Sequence, residues 1–136
     1  MKDTTKTNKK IKILFVEDDP RYSDLYTDYF KAKGLDVLQV WRGEDVMEKL
    51  KVYKPNIILL DLMLPKMRGE EVLTLLENDK EANQIPRIIL TAYIYDEEQA
   101  ARLKKRVDDY IIKTEILPSQ LVERIKKVLQ EKEENN

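Results

Sequence analysis

Short apolar runs alternate with amphipathic segments along the chain between two polar ends. Five runs have the β-branched and aromatic content of strands and cover residues 11–16, 36–40, 56–60, 87–90 and 109–112. Five segments carry apolar residues three and four positions apart, as one face of a helix requires, and cover residues 21–33, 44–51, 69–78, 96–105 and 119–130. Alternating strands and helices predict an α/β fold in which helices cover both faces of a parallel sheet. For five strands and five helices we expect the flavodoxin-like, doubly wound strand order 2-1-3-4-5.

Individual residues mark the ends and the buried faces of these helices. Pro20 suits the first turn of the first helix, and Gly34 suits the position just after its end. The apolar positions expected to face the core in this helix are Tyr22, Leu25, Tyr26, Tyr29 and Phe30. Those expected to face it in the fourth helix are Ala100, Ala101 and Leu103.

A single folded domain is expected, because 136 residues match the length of one typical domain. We assign it to residues 11–132, with a polar tail over 1–10 that we expect to be disordered and a frayed C-terminus over 133–136. Residues 1–10 lack the apolar segment of a secretory signal, and no run approaches the ~18 apolar residues of a membrane span. We therefore expect a cytoplasmic protein without membrane contact.

The composition excludes several classes of site. The chain has no cysteine and no histidine, which excludes disulfides, thiolate zinc sites, imidazole general bases and Ser-His-Asp triads. The 25 Lys and Arg balance 26 Asp and Glu, and a net charge of −1 argues against sequence-independent nucleic-acid binding, which needs a basic excess. The glycines at positions 34, 43 and 69 cannot form a GxGxxG or Walker phosphate loop.

Polar residues directly follow four of the five predicted strands. They are Glu17, Asp18 and Asp19 after the first, Asp61 after the third, Thr91 after the fourth and Lys113 after the fifth. The end of the second strand, near Trp41 and Arg42, contributes nothing comparable. Ligands of doubly wound sheets bind beyond the carboxyl ends of the strands at the switch point, here between strands 1 and 3. Carboxylates without His or Cys suit Mg²⁺, Mn²⁺ or Ca²⁺.

This set of residues predicts a phosphoryl-transfer site. Mg²⁺ usually takes one or two carboxylates and keeps several waters, which fits Asp18 and Asp61 with Glu17 holding a coordinated water. Lys113 would pair with a phosphate or a carboxylate, and Thr91 would donate a hydroxyl hydrogen bond. A carboxylate in such a site can also be a nucleophile that forms an aspartyl-phosphate.

Each residue also has a structural interpretation when it is taken alone. Asp18 and Asp19 precede Pro20 and could cap the first helix. Asp61 could be a turn residue, although a charge directly after a doubly buried strand is costly unless it is paired. The convergence of complementary groups from four strand ends favours the functional interpretation.

Four segments together resemble the receiver domain of two-component response regulators. They read ILFVEDD at 13–19, LLDLMLPKMRG at 59–69, ILTA at 89–92 and DYIIK at 109–113. The resemblance covers about residues 10–132. It implies a fold similar to that of the single-domain chemotaxis response regulator. The Asp-x-x-x-Pro-x-x-x-Gly pattern that starts at Asp61 is specific even by itself.

The resemblance implies a role for each site residue. Asp61 would be the phosphoacceptor, Glu17 and Asp18 the acidic pocket for Mg²⁺, and the Met63 backbone carbonyl a further metal ligand. Thr91 and Lys113 would contact the phosphoryl group, and Thr91 and Tyr110 would form the switch pair, with Tyr110 turning inward on phosphorylation. In the family, the residues two positions beyond the phosphoacceptor and two beyond Thr91 flank the path of the hydrolytic water. Here they are Met63 and Tyr93, which carry no carboxylate or amide to orient a water. We therefore expect a long-lived phosphorylated state.

The resemblance also implies partners. A histidine kinase or phosphotransfer protein would supply the phosphoryl group, and an output protein would bind the face formed by helix 4, strand 5 and helix 5. The chain would catalyse only its own phosphorylation and dephosphorylation, as a monomer or weak dimer that contacts no nucleic acid directly. Two departures stand out: Lys113-Thr114 replaces the usual Lys-Pro, and Arg106-Val107 replaces the frequent Gly-Ala.

Two other functions remain open. A degenerate receiver would act as a phosphorylation-independent protein-interaction module, but it would have lost Asp61, Asp18 or Lys113, and all three are present. An aspartate-nucleophile phosphatase would carry Asp-x-Asp, but Pro20 and Met63 stand two positions after Asp18 and Asp61. The sequence is equally compatible with a stand-alone regulator and with the receiver part of a longer one.

Overall fold

The computed structural model describes residues 9–135 and contains a single five-stranded parallel sheet within them. Its strands are β1 Lys12–Val16, β2 Asp36–Val40, β3 Ile57–Leu60, β4 Arg87–Thr91 and β5 Asp109–Ile112. They lie in the order β2-β1-β3-β4-β5, and every neighbouring pair is parallel. The predicted doubly wound α/β fold is confirmed.

Five α-helices connect and follow these strands in the described part of the chain. They are α1 Pro20–Ala32, α2 Val46–Tyr53, α3 Gly69–Glu77, α4 Glu97–Lys104 and α5 Pro118–Glu134. Short 3-10 turns occupy Gly43–Asp45, Ala82–Gln84 and Lys113–Glu115. The first of these turns takes the start of the helix that was predicted over 44–51, so α2 begins and ends two residues later.

The central strands contribute side chains to two hydrophobic cores, one on each face of the sheet. Ile13 and Phe15 of β1 pack with α1 and α5, whereas Leu14 and Val16 pack with α2, α3 and α4. Every residue of β3 is buried, as expected of a central parallel strand that is covered on both sides. This burial fixes the register of β1 and β3 and therefore the position at which their carboxyl ends emerge.

Helix α1 has close to the predicted ends but turns a different face to the core. Pro20 is its first residue, and Gly34 has a φ of +84° just beyond its end. The prediction that Leu25 is buried is wrong, since this side chain is 60% exposed. The buried positions are Ser23, Tyr26, Thr27 and Phe30. They are spaced three and four apart, which leaves Leu25 about 100° away from Tyr26 around the helix axis.

The last two helices also differ from expectation. Ala101 is exposed, contrary to the prediction, and Leu103 is the buried residue of α4. Helix α5 continues to Glu134, so residues 133 and 134 are helical where a frayed end was expected. Residues 1–8 of the predicted tail and residue 136 lie outside the described part. No helix within residues 9–135 is long and apolar enough to cross a membrane.

Candidate functional site

The carboxyl ends of β1, β3, β4 and β5 bring the predicted polar residues to one edge of the sheet. Asp61 directly follows β3, is 5% exposed, and its N–H donates to the Val16 carbonyl at 3.0 Å. Glu17 directly follows β1 and is also buried, and its N–H donates to the Val40 carbonyl at 2.9 Å. The backbone of the sheet thus continues one residue past each strand and holds both carboxylates in place.

Three carboxylates at this edge can share one cation. Oxygens of Glu17, Asp18 and Asp61 all lie within 4.8 Å of one another. Glu17 and Asp61 are buried and Asp18 is exposed, so the cluster opens to solvent on one side. A small hard cation that accepts carboxylate oxygens and keeps some of its waters fits this arrangement. The cluster therefore suits Mg²⁺.

Asp19 does not join this cluster but caps helix α1. Its side chain accepts a hydrogen bond from the Arg21 N–H at 3.0 Å and forms an ion pair with the Arg21 guanidinium at 2.7 Å. The hydrogen bond from the Arg21 side chain is the main reason why the pKa of Asp19 falls to about 2. The capping interpretation is therefore correct for Asp19, and Asp18 remains with the acidic cluster.

Lys113 neutralises part of the negative charge. Its ammonium group is almost completely buried, forms an ion pair with Glu17 Oε1, and lies 3.6 Å from Asp61 Oδ2. Burial raises the pKa of Glu17 to about 7, and the charge of Asp61 acts in the same direction, while Lys113 opposes both. Three carboxylates against one ammonium leave the site short of positive charge.

Tyr22 is a site residue that sequence reasoning missed. The Lys113 Nζ atom lies 4.2 Å from the centroid of the Tyr22 ring, on the first turn of α1. The sequence showed Tyr22 only as one apolar position of an amphipathic helix. No spacing along the chain connects residue 22 with residue 113, so no sequence signal could have paired them.

Thr91 is the last residue of β4, and Tyr110 lies on the neighbouring strand β5. Thr91 is fully buried, and its Oγ1 accepts a hydrogen bond from the Tyr93 N–H at 3.2 Å. The Tyr110 ring is half-buried against the core on the α4 side, with Lys104 Nζ 5.6 Å from its centroid. The Tyr110 hydroxyl is buried and makes no hydrogen bond to the described residues. An inward turn on phosphorylation is therefore not needed to bury this hydroxyl, and the switch role of the pair stays a prediction.

The loop over residues 61–68 lies so close to Gly43 and Gly69 that neither of these two positions has room for a side chain. A Cβ atom on Gly69 would lie 2.5 Å from the Asp61 carbonyl oxygen and 2.6 Å from Leu62 Cα. A Cβ atom on Gly43 would lie 2.6 Å from the Met67 carbonyl oxygen. The turn that follows β2 therefore supports this loop through the close approach of its backbone at Gly43.

Met63 lies on the outer side of the same loop. It is 40% exposed, and its N–H donates to Asp61 Oδ1 at 3.3 Å. This hydrogen bond orients one oxygen of the Asp61 carboxylate. A metal contact of the Met63 carbonyl stays a prediction.

The two departures from the family pattern have simple structural outcomes. Lys113–Glu115 forms a 3-10 turn, and no peptide bond among the described residues is cis. Arg106 forms an ion pair with Glu77 of α3 at 2.8 Å, and Val107 packs against the core. Neither departure prevents Lys113 from reaching Glu17 and Asp61.

Comparison with known proteins identifies the family. The sequence profile of the response regulator receiver domain matches residues 13–126. The chain belongs to the response regulator receiver domain family. Receiver domains of this family typically depend on Mg²⁺ and interact with histidine kinases or phosphotransfer proteins. The acidic cluster of this receiver domain is consistent with that dependence.

Individual relatives agree with this assignment. The transcriptional regulatory protein BaeR of Escherichia coli O6:H1 is 35% identical over 118 residues, which are 87% of this chain and 48% of BaeR. The BeF3-activated N-terminal receiver domain of Klebsiella pneumoniae RstA is 34% identical with a TM-score of 0.77 and covers 87% of this chain and 97% of its own. A CheY-like receiver domain protein of Methanospirillum hungatei is 28% identical with a TM-score of 0.81. The match covers 94% of this chain and 100% of that protein's chain. The chain spans about half the length of relatives such as BaeR.

Proposed function

We propose that this receiver domain accepts a phosphoryl group on Asp61 from a histidine kinase or phosphotransfer protein, and that the modification changes its contacts with an output protein. The observation that carries the proposal is the surroundings of the Asp61 carboxylate. It lies within 4.8 Å of two further carboxylates and 3.6 Å from a buried ammonium group. A nucleophilic carboxylate with both a cation site and a fixed positive charge beside it is what phosphoryl transfer requires.

The transfer step balances without any further reactant. A carboxylate oxygen of Asp61 forms a bond to the phosphorus of a donor phosphohistidine, and the phosphorus–nitrogen bond breaks with its electron pair staying on the imidazole. When bound by Glu17, Asp18 and Asp61, Mg²⁺ would neutralise charge on the transferring oxygens. Lys113 supplies the second positive charge, since its Nζ already lies beside Asp61.

Thr91 is suited to donate a hydrogen bond to the phosphoryl group. Its Oγ1 accepts from the Tyr93 N–H, so the hydroxyl proton is free to point elsewhere. A new hydrogen bond from this proton would draw Thr91 towards the phosphoryl group. Because Tyr110 lies on the neighbouring strand, such a movement would favour one of two conformers of the α4–β5–α5 face. This face is our proposed contact with the output protein; the monomeric or weakly dimeric state and the cytoplasmic location stay predictions.

Intact-mass measurement after incubation with Mg²⁺ and acetyl phosphate tests the proposal. We expect one added phosphoryl group per chain in the wild type and in Asp19→Asn, and none in Asp61→Asn. Asp19→Asn is the matched control, because it changes an aspartate next to the site that only caps a helix. Equal labelling of Asp61→Asn would refute the assignment. Absence of any labelling would favour the phosphorylation-independent interaction module, and continuous hydrolysis of a small phosphate ester would favour the phosphatase.

A further inference from the structure

The Tyr22 ring and the Lys113 ammonium group form a contact that the proposed function does not explain by itself. Lys113 Nζ lies 4.2 Å from the ring centroid, well within the ~6 Å over which a cation is attracted to an aromatic face. The Lys113 side chain is only 3% exposed, so little water screens the attraction. With Glu17 and Asp61 also in contact, the ammonium group is held from three directions.

The Tyr22 ring is itself held in place by the elements around it. Asp19 caps α1, and the Tyr22 N–H donates to the Asp19 carbonyl at 3.1 Å, which fixes the first helical turn. The ring stacks on Tyr26 at 6.2 Å, and Tyr26 packs edge-on against Phe15 in the core at 6.1 Å. A column of rings therefore connects the hydrophobic core to the Lys113 ammonium group. A side chain that is held this firmly can orient a flexible lysine.

We propose that Tyr22 is a positioning residue that holds Lys113 Nζ beside Asp61 through a cation–π contact, and that it acts on phosphoryl transfer only through Lys113. This inference rests on the proposed function. Lysine has four rotatable bonds, and without the ring the ammonium group could stay with Glu17 and turn away from Asp61. The ring face closes that side of the pocket and keeps the positive charge where the transferring oxygens arrive.

Four variants separate this role from simple packing. Tyr22→Phe keeps the ring face, and Tyr22→Leu keeps an apolar side chain but removes the ring. Tyr29→Leu is the matched control, because Tyr29 is also a half-buried tyrosine of α1 with a lysine, Lys33, at 5.5 Å from its ring. Lys113→Ala removes the group through which Tyr22 is proposed to act.

The first measurement is the rate constant of Asp61 phosphorylation by acetyl phosphate at saturating Mg²⁺, followed by intact mass. Tyr22→Leu should slow the reaction by roughly two- to thirtyfold, the range expected for losing a cation–π contact. Tyr22→Phe and Tyr29→Leu should react like the wild type. In the Lys113→Ala background, Tyr22→Leu should have no further effect, because the two residues act as one unit. Equal slowing by Phe and Leu, or the same slowing with and without Lys113, would overturn the proposal.

The second measurement needs no phosphorylation. The Cε protons of Lys113, next to the ring, should show an upfield ring-current shift in the NMR spectrum of the unphosphorylated protein. This shift should persist in Tyr22→Phe and disappear in Tyr22→Leu. If the wild-type protein shows the ring-current shift but is never labelled by acetyl phosphate, the Tyr22–Lys113 contact is supported and the proposed function is refuted. Normal labelling of a protein without the shift would refute the positioning role alone.

Discussion

Replacing Gly69 by alanine should damage both the stability of the protein and the chemistry of its site. The added Cβ would lie 2.5 Å from the Asp61 carbonyl oxygen, 2.6 Å from Leu62 Cα and 2.8 Å from Leu62 Cδ2. Carbon atoms in favourable contact lie about 3.5–4.0 Å apart, so each of these distances is too short by roughly 1 Å. Two of the three atoms belong to the backbone and cannot rotate away. Helix α3 must therefore move away from Asp61, which carries the proposed phosphoacceptor carboxylate.

The expected loss of stability follows from two opposing effects. Forcing an extra methyl group into a packed region typically costs about 1–3 kcal/mol. Alanine in place of glycine in a helix recovers up to about 0.5–1 kcal/mol. We expect a net loss of about 1–2 kcal/mol, which lowers the melting temperature by roughly 3–6 °C per kcal/mol for a domain of this size. Urea unfolding followed by circular dichroism measures this loss.

Gly34→Ala separates the effect on stability from the effect on the site. Gly34 has a φ of +84°, but its Cβ would meet no atom within 4 Å. Alanine there costs about 1 kcal/mol through backbone strain alone. We expect Gly34→Ala to be labelled by acetyl phosphate at the wild-type rate and Gly69→Ala to be labelled several-fold more slowly. The reasoning is refuted if Gly69→Ala keeps both the wild-type stability and the wild-type rate, or if both variants slow labelling equally.

Two further variants test the acidic cluster and the outer rim of the site. Asp18→Asn should weaken Mg²⁺ binding by at least about tenfold in calorimetry, since even outer contacts of a metal site cost that much. Asp19→Asn should leave it nearly unchanged, because asparagine caps a helix as well as aspartate does, and the reverse ranking would show that the assignment of the two residues is off by one. Met63→Asn with Tyr93→Glu should shorten the lifetime of the phosphorylated state several-fold, because the native apolar and aromatic side chains are expected to cover the approach of water. Unchanged decay of phosphate from the purified double variant would show that these side chains do not set the rate.

The strand order was expected from the usual arrangement of five-stranded doubly wound sheets. The burial of β3 could be predicted because a strand covered on both faces leaves a clear sequence signal. Residues 57–60 are apolar without interruption, and β3 is indeed buried at every position. Helix faces were harder to predict, because α1 contains apolar residues on more than one side. Leu25 belongs to the apolar pattern but points to solvent, while Ser23 and Thr27 are buried. Composition alone could not decide which side of α1 meets the sheet.

The polar residues of the site could be predicted because the topology dictates where strand ends meet. Glu17, Asp18, Asp61 and Lys113 come together as the order 2-1-3-4-5 requires. The supporting contacts could not be predicted in the same way. The Tyr22 contact depends on where packing against the sheet places the first turn of α1 relative to Lys113. Such distances appear only in three dimensions.

The charges at the site explain why the position of the Lys113 ammonium group, and hence its contact with Tyr22, should matter for phosphoryl transfer. Glu17 and Asp61 are buried carboxylates that share one ammonium group. Burial and the charge of Asp61 together raise the pKa of Glu17 to about 7, although Lys113 acts in the opposite direction. A phosphoryl group adds further negative charge to this small volume, which only a correctly placed cation and ammonium group can balance. In the proposed function, Lys113 would therefore give up part of its contact with Glu17 and bind the phosphoryl oxygens, while it stays close to Asp61. A neutral, attractive surface such as the Tyr22 ring allows this exchange, because it holds the ammonium group without competing as an anion.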